Sequence, residues 1–374
     1  MQQIKIIVCG DFRAAYPERI VFSKEVDALL ADVDLRICNF EAPVHVDGAK
    51  PIKKSGPSLD QSIHSPSFLK NKGFNAILLA NNHIMDYGEE GLCATLESFK
   101  DVITVGAGTA KEAFAVRYLE IKGYRIGLMS LVQHEFGVVE SVDDEQYGAA
   151  WVCSPDVPQI IMGAKKQCDF LLVMPHAGVE HTIAPLPEWR RLYKRLIEWG
   201  ADAVVVSHPH CPQGIEFYRE KPIYYSLGNF YFDELTYDKW WYKSICVEFQ
   251  LGKDKSIQIK NHYIFFDDSG RVSVETNNDM SERMLTANQF LVNEKKYSEY
   301  IEKICDIRYK SLSYGMLRGL CGMSFRLKPQ YVLRLIACML LRNSNEPFLL
   351  NAICSESDRW VLKRALHNRI CKKQ

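Results

Sequence analysis

Ala203-Val204-Val205-Val206-Ser207-His208-Pro209-His210 is the stretch on which the fold of this chain turns. Four apolar residues, three of them β-branched, run without alternation, as in a strand covered on both faces. Two imidazoles follow at once. Upstream, Phe170–Pro175 repeats the pattern and ends in His176. Ile4–Cys9, Leu35–Cys38, Ala76–Ala80, Arg125–Val132 and Ile223–Ser226 are runs of the same kind. Between them, Glu25–Leu30, Glu89–Phe99, Pro155–Lys166 and Glu188–Trp199 space apolar residues three and four apart, the helical period. Pro187 precedes and Gly200 follows the last of these, a helix start and stop. Strands alternating with amphipathic helices predict an α/β layered fold.

Beyond Phe232 the texture changes. Ser244–Gln250, Ile257–Phe266 and Arg271–Glu275 read as antiparallel strands closing the main domain, with turns at Gly252-Lys253-Asp254 and Asp267-Asp268-Ser269-Gly270. Residues 281–374 are helix-like, with breaks at Pro329 and Pro347. The expected division is residues 1–275, an α/β domain, and residues 276–374, a basic helical region.

The 374 residues carry 46 Lys+Arg and 46 Asp+Glu, with 47% apolar and 25% charged residues. That is a globular composition; it excludes a disordered chain or a collagen-like repeat, and zero net charge argues against a dedicated nucleic-acid binder. The charge is uneven: residues 301–374 hold 14 Lys+Arg against 5 Asp+Glu, a net of +9, which leaves −9 on the rest. A solvated basic tail or docking to a membrane face or a synthase would both account for it. Twelve cysteines form no CxxC pair and several sit in apolar runs, as expected for buried thiols in a reducing compartment. A strand-like start at Ile4, without signal-peptide features, gives the expectation of a cytoplasmic protein. The apolar stretch Tyr331–Leu341, broken by Arg334, is too short for a bilayer core of about 30 Å.

Polar residues fall where the strands end. Gly10-Asp11, Asn39-Phe40-Glu41, Asn81-Asn82-His83 with Asp86, His176, His208-Pro209-His210 and Gly228-Asn229 each follow an apolar run. Ligands of open α/β sheets bind outside the carboxyl ends of the strands. Any one Asp or Asn there is ordinarily a helix cap, and one buried histidine is ordinarily structural. Six such ends in succession make a mixed N/O donor set suited to a divalent metal. Two imidazoles two residues apart, on an extended turn stiffened by Pro209, are its strongest element.

These motifs, together with His176-Ala177-Gly178-Val179-Glu180, Gln213 and Tyr225-Ser226-Leu227-Gly228-Asn229-Phe230, resemble the CapA family of capsule and poly-γ-glutamate synthesis proteins over roughly residues 4–265. The resemblance implies a four-layer α/β/β/α metallophosphoesterase-like sandwich, here followed by a C-terminal helical extension. It implies that Asp11, Glu41, Asn82, His176, His208 and His210 bind one or two divalent ions (Mn, Mg, Ca or Zn), with His83 and Glu180 catalytic. Asn39, Asp86 and Asn229 would contact substrate or support the ligands. Lys54, beside Gly56-Pro57, is either an anion-holding residue at the pocket rim or part of a solvated loop. Two positions depart from ordinary metallophosphoesterases and match the capsule-type proteins: Arg13 stands where Asp-x-His would end, and Asn39-x-Glu41 replaces a second-motif Asp. The expected function is capsule, exopolysaccharide or poly-γ-glutamate-type polymer synthesis by a metal-dependent, hydrolase-like enzyme acting on a polyanionic or peptide-like substrate. A non-catalytic polymer-binding assembly factor and a metal-assisted proton-abstracting isomerase are the alternatives.

Two smaller elements remain. Gly106 and Gly108 read as a tight turn before a helix capped by Thr109, and Trp240-Trp241-Tyr242 as either an exposed aromatic lip or packing at the start of the closing strands.

Overall fold

The computed structural model describes residues 3–234, 236–252, 256–321 and 346–371. The turn residues Lys253 and Asp254, the break at Pro329 and the stretch Tyr331–Leu341 lie outside them.

The strand Ile4–Arg13 shows why the apolar runs do not alternate with polar residues. Ile4, Ile6 and Val8 face a core shared with a second sheet. Ile7 and Cys9 face the opposite way, into a core shared with the helices Lys24–Ala31, Ser65–Asn71 and Gly88–Ser98. Both faces of the strand are buried, so both need apolar side chains.

Its sheet runs, in order, Val21–Phe22, Arg271–Val274, Ile257–Phe266, Lys243–Leu251, Ile4–Arg13, Leu35–Phe40, Ala76–Leu78, Ile103–Val105, with Asn229–Phe232 also paired to Ile4–Arg13. The facing sheet runs Ile215–Tyr218, Lys221–Tyr224, Ala203–Val205, Phe170–His176, Tyr124–Val132, Arg117–Ile121. Ile126, Leu128, Phe170, Leu172, Ala203 and Val205 meet the first sheet across the shared core. On the far side, Val157, Ile161, Trp189, Leu192 and Leu196 of the helices Val157–Lys165 and Pro187–Trp199 cover the second sheet. The architecture is the expected four-layer α/β/β/α sandwich.

The closing strands are antiparallel, as their turn residues imply. Thr109 caps its short helix with a reciprocal capping box to Glu112. A small three-stranded sheet (Ala107–Thr109, Tyr147–Ala150, Val138–Val139) has strands too short to show a period in the sequence.

The C-terminal helices Asp279–Val292, Glu294–Cys321, Glu346–Cys354 and Glu356–Cys371 follow. Leu291, Tyr297, Ile301, Cys305, Val361 and Ala365 join the helix-side core of the second sheet. Part of the basic charge of this region serves internal contacts: Arg364 pairs with Glu188, and Arg369 with Asp306. No helix among the described residues is long and apolar enough to cross a membrane. Cys9, Cys38, Cys93, Cys153, Cys168, Cys211, Cys246, Cys305 and Cys354 are free, and Cys9, Cys38, Cys211, Cys246 and Cys305 of these are buried.

Candidate metal centre

Strand register brings Asp11 together with two asparagines. The register of Ile4–Arg13 shifts at Asp11, which then faces Asn39 on one neighbouring strand and Asn229 on the other. The closeness depends on Gly10: a Cβ there would lie 1.8 Å from the Gly228 carbonyl oxygen. That oxygen accepts the Asp11 N–H at 3.1 Å.

The facing sheet supplies the histidines. His176 ends its strand and bridges to Ser207. The His-Pro-His turn is not extended, contrary to the sequence expectation. The strand stops at Val205, and His208 and His210 take left-handed backbone, with φ of 95° and 56°. The turn folds toward the first sheet, where the His208 N–H donates to Asp11 Oδ2 at 3.2 Å. Left-handed backbone at a side-chain-bearing residue costs on the order of 1–3 kcal/mol and concentrates at functional sites.

The donor atoms converge. His176 Nε2 lies 3.0 Å from Asn82 Oδ1, 3.2 Å from His208 Nδ1 and 3.7 Å from Glu41 Oε1. His210 Nε2 lies 3.5 Å from the same Glu41 oxygen, and His210 Nδ1 lies 3.7 Å from Asp11 Oδ2. Glu41 is fully buried, and neither carboxylate oxygen has a hydrogen-bond partner. A buried carboxylate without a donor costs several kcal/mol unless a cation or proton compensates it. Burial, and then the neighbouring charges of Asp11 and Glu180, hold the Glu41 carboxyl well above its ordinary value. Burial would raise Asp11 too, but the hydrogen bond and charge of His176 and the charge of His210 carry it below its ordinary value. Burial holds His176 and His208 below the ordinary imidazole value. Asp11, Glu41 and His176 form one compact donor group, and Glu180, His208 and His210 a second. Five of the six residues expected as ligands fall in these groups, Asn82 joins them through its Oδ1, 3.0 Å from His176 Nε2, and the chemistry of the set fits a divalent cation.

Around them runs a layer that orients the rings. Asn39 Nδ2 donates to Asp11 Oδ1 at 2.8 Å and lies 3.2 Å from His176 Nδ1. Asn229 Oδ1 lies 2.9 Å from His210 Nδ1, and its amide donates to the Trp241 carbonyl. Asp86 Oδ2 lies 2.7 Å from His83 Nδ1 and also accepts the Leu59 N–H. Lys54 closes the other Asp86 oxygen and lies 3.2 Å from His83 Nδ1. The Lys54 side chain is 4% exposed, so it does not belong to a solvated loop. Burial holds His83 below its ordinary value despite Asp86.

A cavity of about 340 Å³ opens onto this centre. Of the four residues read as substrate contacts, Lys54 lines it, whereas Asn39, Asp86 and Asn229 are buried behind His176, His83 and His210. His83, Glu180, His208 and His210 reach its surface. Trp241 is buried and forms a wall of the cavity against His210, with ring centroids 4.8 Å apart, so it packs there rather than standing out as an exposed lip.

Several lining residues escaped the sequence reading. Gln133 and Glu135 follow the strand Arg125–Val132, a seventh polar strand end that the same rule would have found. Arg308, Ser357 and Asp358 come from the C-terminal helices, and Ser355 from the joint between the last two. No local pattern marks them, because their place depends on how the helices dock.

The family described as "Bacterial capsule synthesis protein PGA_cap" matches residues 8–234. The capsule biosynthesis protein CapA of Bacillus anthracis is 31% identical over 221 residues, covering 56% of this chain and 53% of that protein. The PGA biosynthesis protein CapA of Bacillus subtilis (strain 168) is 30% identical over 244 residues, covering 59% and 60%. The chain thus spans between half and two thirds of the length of these relatives. Among solved structures, the NAD nucleotidase of Haemophilus influenzae aligns with a TM-score of 0.40 at 14% identity, over 77% of this chain and 56% of that one. The 5'-nucleotidase of Candida albicans SC5314 aligns at 0.41 and 12%, over 79% and 58%. The match over residues 8–234 takes in every strand end that carries a donor, and on it the chain belongs to the bacterial capsule synthesis protein family PGA_cap.

Proposed function

We propose that the cleft is a divalent-metal centre that performs hydrolytic chemistry on a polyanionic, peptide-like substrate in capsule or poly-γ-glutamate-type polymer synthesis. One observation carries it: Glu41 is buried with both oxygens unpartnered, facing the ring nitrogens of His176 and His210. Asp11, Glu41, Asn82, His176, His208 and His210 would hold the ion or ions, Mn, Mg, Ca or Zn. A divalent ion held there supplies Lewis acidity toward a phosphoryl or carbonyl oxygen.

The rest is the work of the chain. His83, with Nδ1 engaged by Asp86, presents its other nitrogen for proton transfer to a leaving group. Glu180, half-buried on the cavity wall, is placed to accept a proton from an attacking water. Arg308 supplies a cation on the same cavity wall for an anionic substrate.

The experiment is turnover by Mn²⁺-loaded protein of poly-γ-glutamate chains and of simple phosphoesters. We expect chain shortening or phosphate release that EDTA abolishes and that His83→Ala lowers about 10²–10⁴-fold. Folded, metal-loaded protein inert toward both substrate classes would overturn the hydrolytic reading in favour of polymer binding.

A further inference from the structure

The cavity walls carry more acidic than basic side chains. Glu135, Glu180, Glu234 and Asp358 line them, against Lys54 and Arg308. Lys54 is matched by the buried Asp86, which leaves Arg308 as the cation without an acid of its own. Arg308 is half-buried on the helix Glu294–Cys321, donates to the Glu180 carbonyl and, among the described residues, forms no ion pair. A guanidinium carries five N–H groups, so most of this one is open. Asp358, also half-buried, stands in the first turn of Glu356–Cys371, where an acid ordinarily serves the helix end. Ser355 already does so, its hydroxyl accepting the Asp358 N–H at 3.4 Å. Among the described residues the Asp358 carboxylate has neither hydrogen bond nor ion pair, and burial, then the charge of Glu180, push it up to about 6 against the pull of Arg308. The Asn351 side-chain oxygen, on the same lining, is buried without a donor. This part of the wall thus lacks an anion for Arg308 and N–H donors for Asp358 and Asn351.

Resting on the polymer reading above, we infer that Arg308 and Asp358 bind a substrate end that carries an ammonium and a carboxylate on one carbon, the amino end of a γ-linked glutamate chain, so that the centre works from the end of its substrate. An interior stretch of the same polymer brings only carboxylates to a wall already lined by carboxylates, and like charges repel at short range. The amino end adds one ammonium. Asp358 and the Asn351 oxygen accept its N–H groups, while Arg308 takes the neighbouring carboxylate in its planar fork. Arg308, Asn351 and Asp358 all lie outside the residues 8–234 shared with the family, so the C-terminal helices supply this recognition.

The test is titration calorimetry on the full Mn²⁺-loaded chain carrying His83→Ala, which keeps the ligand uncut. The probes are tri-γ-glutamate, its N-acetyl form, which has lost the ammonium, and the analogue with a γ-aminobutyryl first residue, which has lost only the α-carboxylate. Tri-γ-glutamate should bind about 10–100-fold more tightly than either. Asp358→Asn should abolish the preference over the acetylated peptide, and Arg308→Ala the preference over the aminobutyryl one. A merely structural role would weaken all three peptides alike and keep both ratios. Equal affinity for the three, either ratio surviving its substitution, or no binding of any of them would overturn the inference. Turnover decides the hydrolytic reading separately. End-selective binding without chain shortening leaves the inference standing and removes that reading; shortening of N-acetylated chains as fast as free ones does the reverse.

Discussion

His83 Nδ1 lies 2.7 Å from Asp86 Oδ2, and Lys54 closes the other oxygen of that carboxylate. Lys54 and Asp86 are both almost wholly buried, at 4% and 1% side-chain exposure. Removing one partner of a buried pair strands the other charge, which costs about 3–5 kcal/mol. Asp86→Asn should therefore lose stability on that scale in urea unfolding, and so should Lys54→Met. The double variant should lose clearly less than the sum, because neither charge is left alone. Additivity to within about 0.5 kcal/mol would show that the two do not act as a pair.

Glu41 places function against stability. Its unpartnered carboxylate opposes folding of the metal-free protein, and glutamine keeps its shape without its charge. Glu41→Gln should raise the stability of EDTA-treated protein by about 1–2 kcal/mol, a gain typical of relieving a strained site. The same change should weaken Mn²⁺ binding by about 100-fold or more. Paired thermal melts with and without Mn²⁺ read both effects. A variant less stable than wild type in EDTA would mean that Glu41 has compensation in the metal-free fold.

Much of this arrangement was legible in the sequence because it is local. A strand followed at once by Asp11, Glu41, His176 or His208 needs no distant information, and the sheet collects those ends by rule. What the sequence could not provide is which face of the site each side chain takes. Asn39 and Asn229 are as polar and as close to strand ends as the ligands, yet register turns them toward neighbouring rings rather than into the cavity. The left-handed backbone of His208 and His210 is likewise a tertiary outcome, fixed by the bond from His208 N–H to Asp11. Arg308 and Ser357 are the extreme case. They lie far along the chain from every motif and reach the cavity only because their helices share a core with the second sheet.

Away from the site, Glu216 joins three elements. It meets Arg190 through two bonds of 2.8 Å, Lys194 at 2.8 Å and the Tyr225 hydroxyl at 2.6 Å. Burial alone would raise Glu216, but the hydrogen bonds from Arg190, Lys194 and Tyr225 carry it down to about 2 from 4.5. A depressed carboxylate contributes stability that is complete above its unfolded value and fades as pH falls toward its folded one. Glu216→Gln should thus cost on the order of 2–3 kcal/mol at pH 7, and the gap to wild type should narrow between about pH 4.5 and 2. Urea midpoints at pH 7 and pH 3 check the sign; a gap that widens on acidification would contradict it.

The central claim is that the strand-end donors form a metal site, and metal content tests it most directly. Wild-type protein and a His208→Ala/His210→Ala variant, purified alike and dialysed against Mn²⁺, would be analysed by inductively coupled plasma mass spectrometry. The account predicts one or two ions per wild-type chain and close to none in a folded double variant. Equal metal content in the two proteins would contradict it.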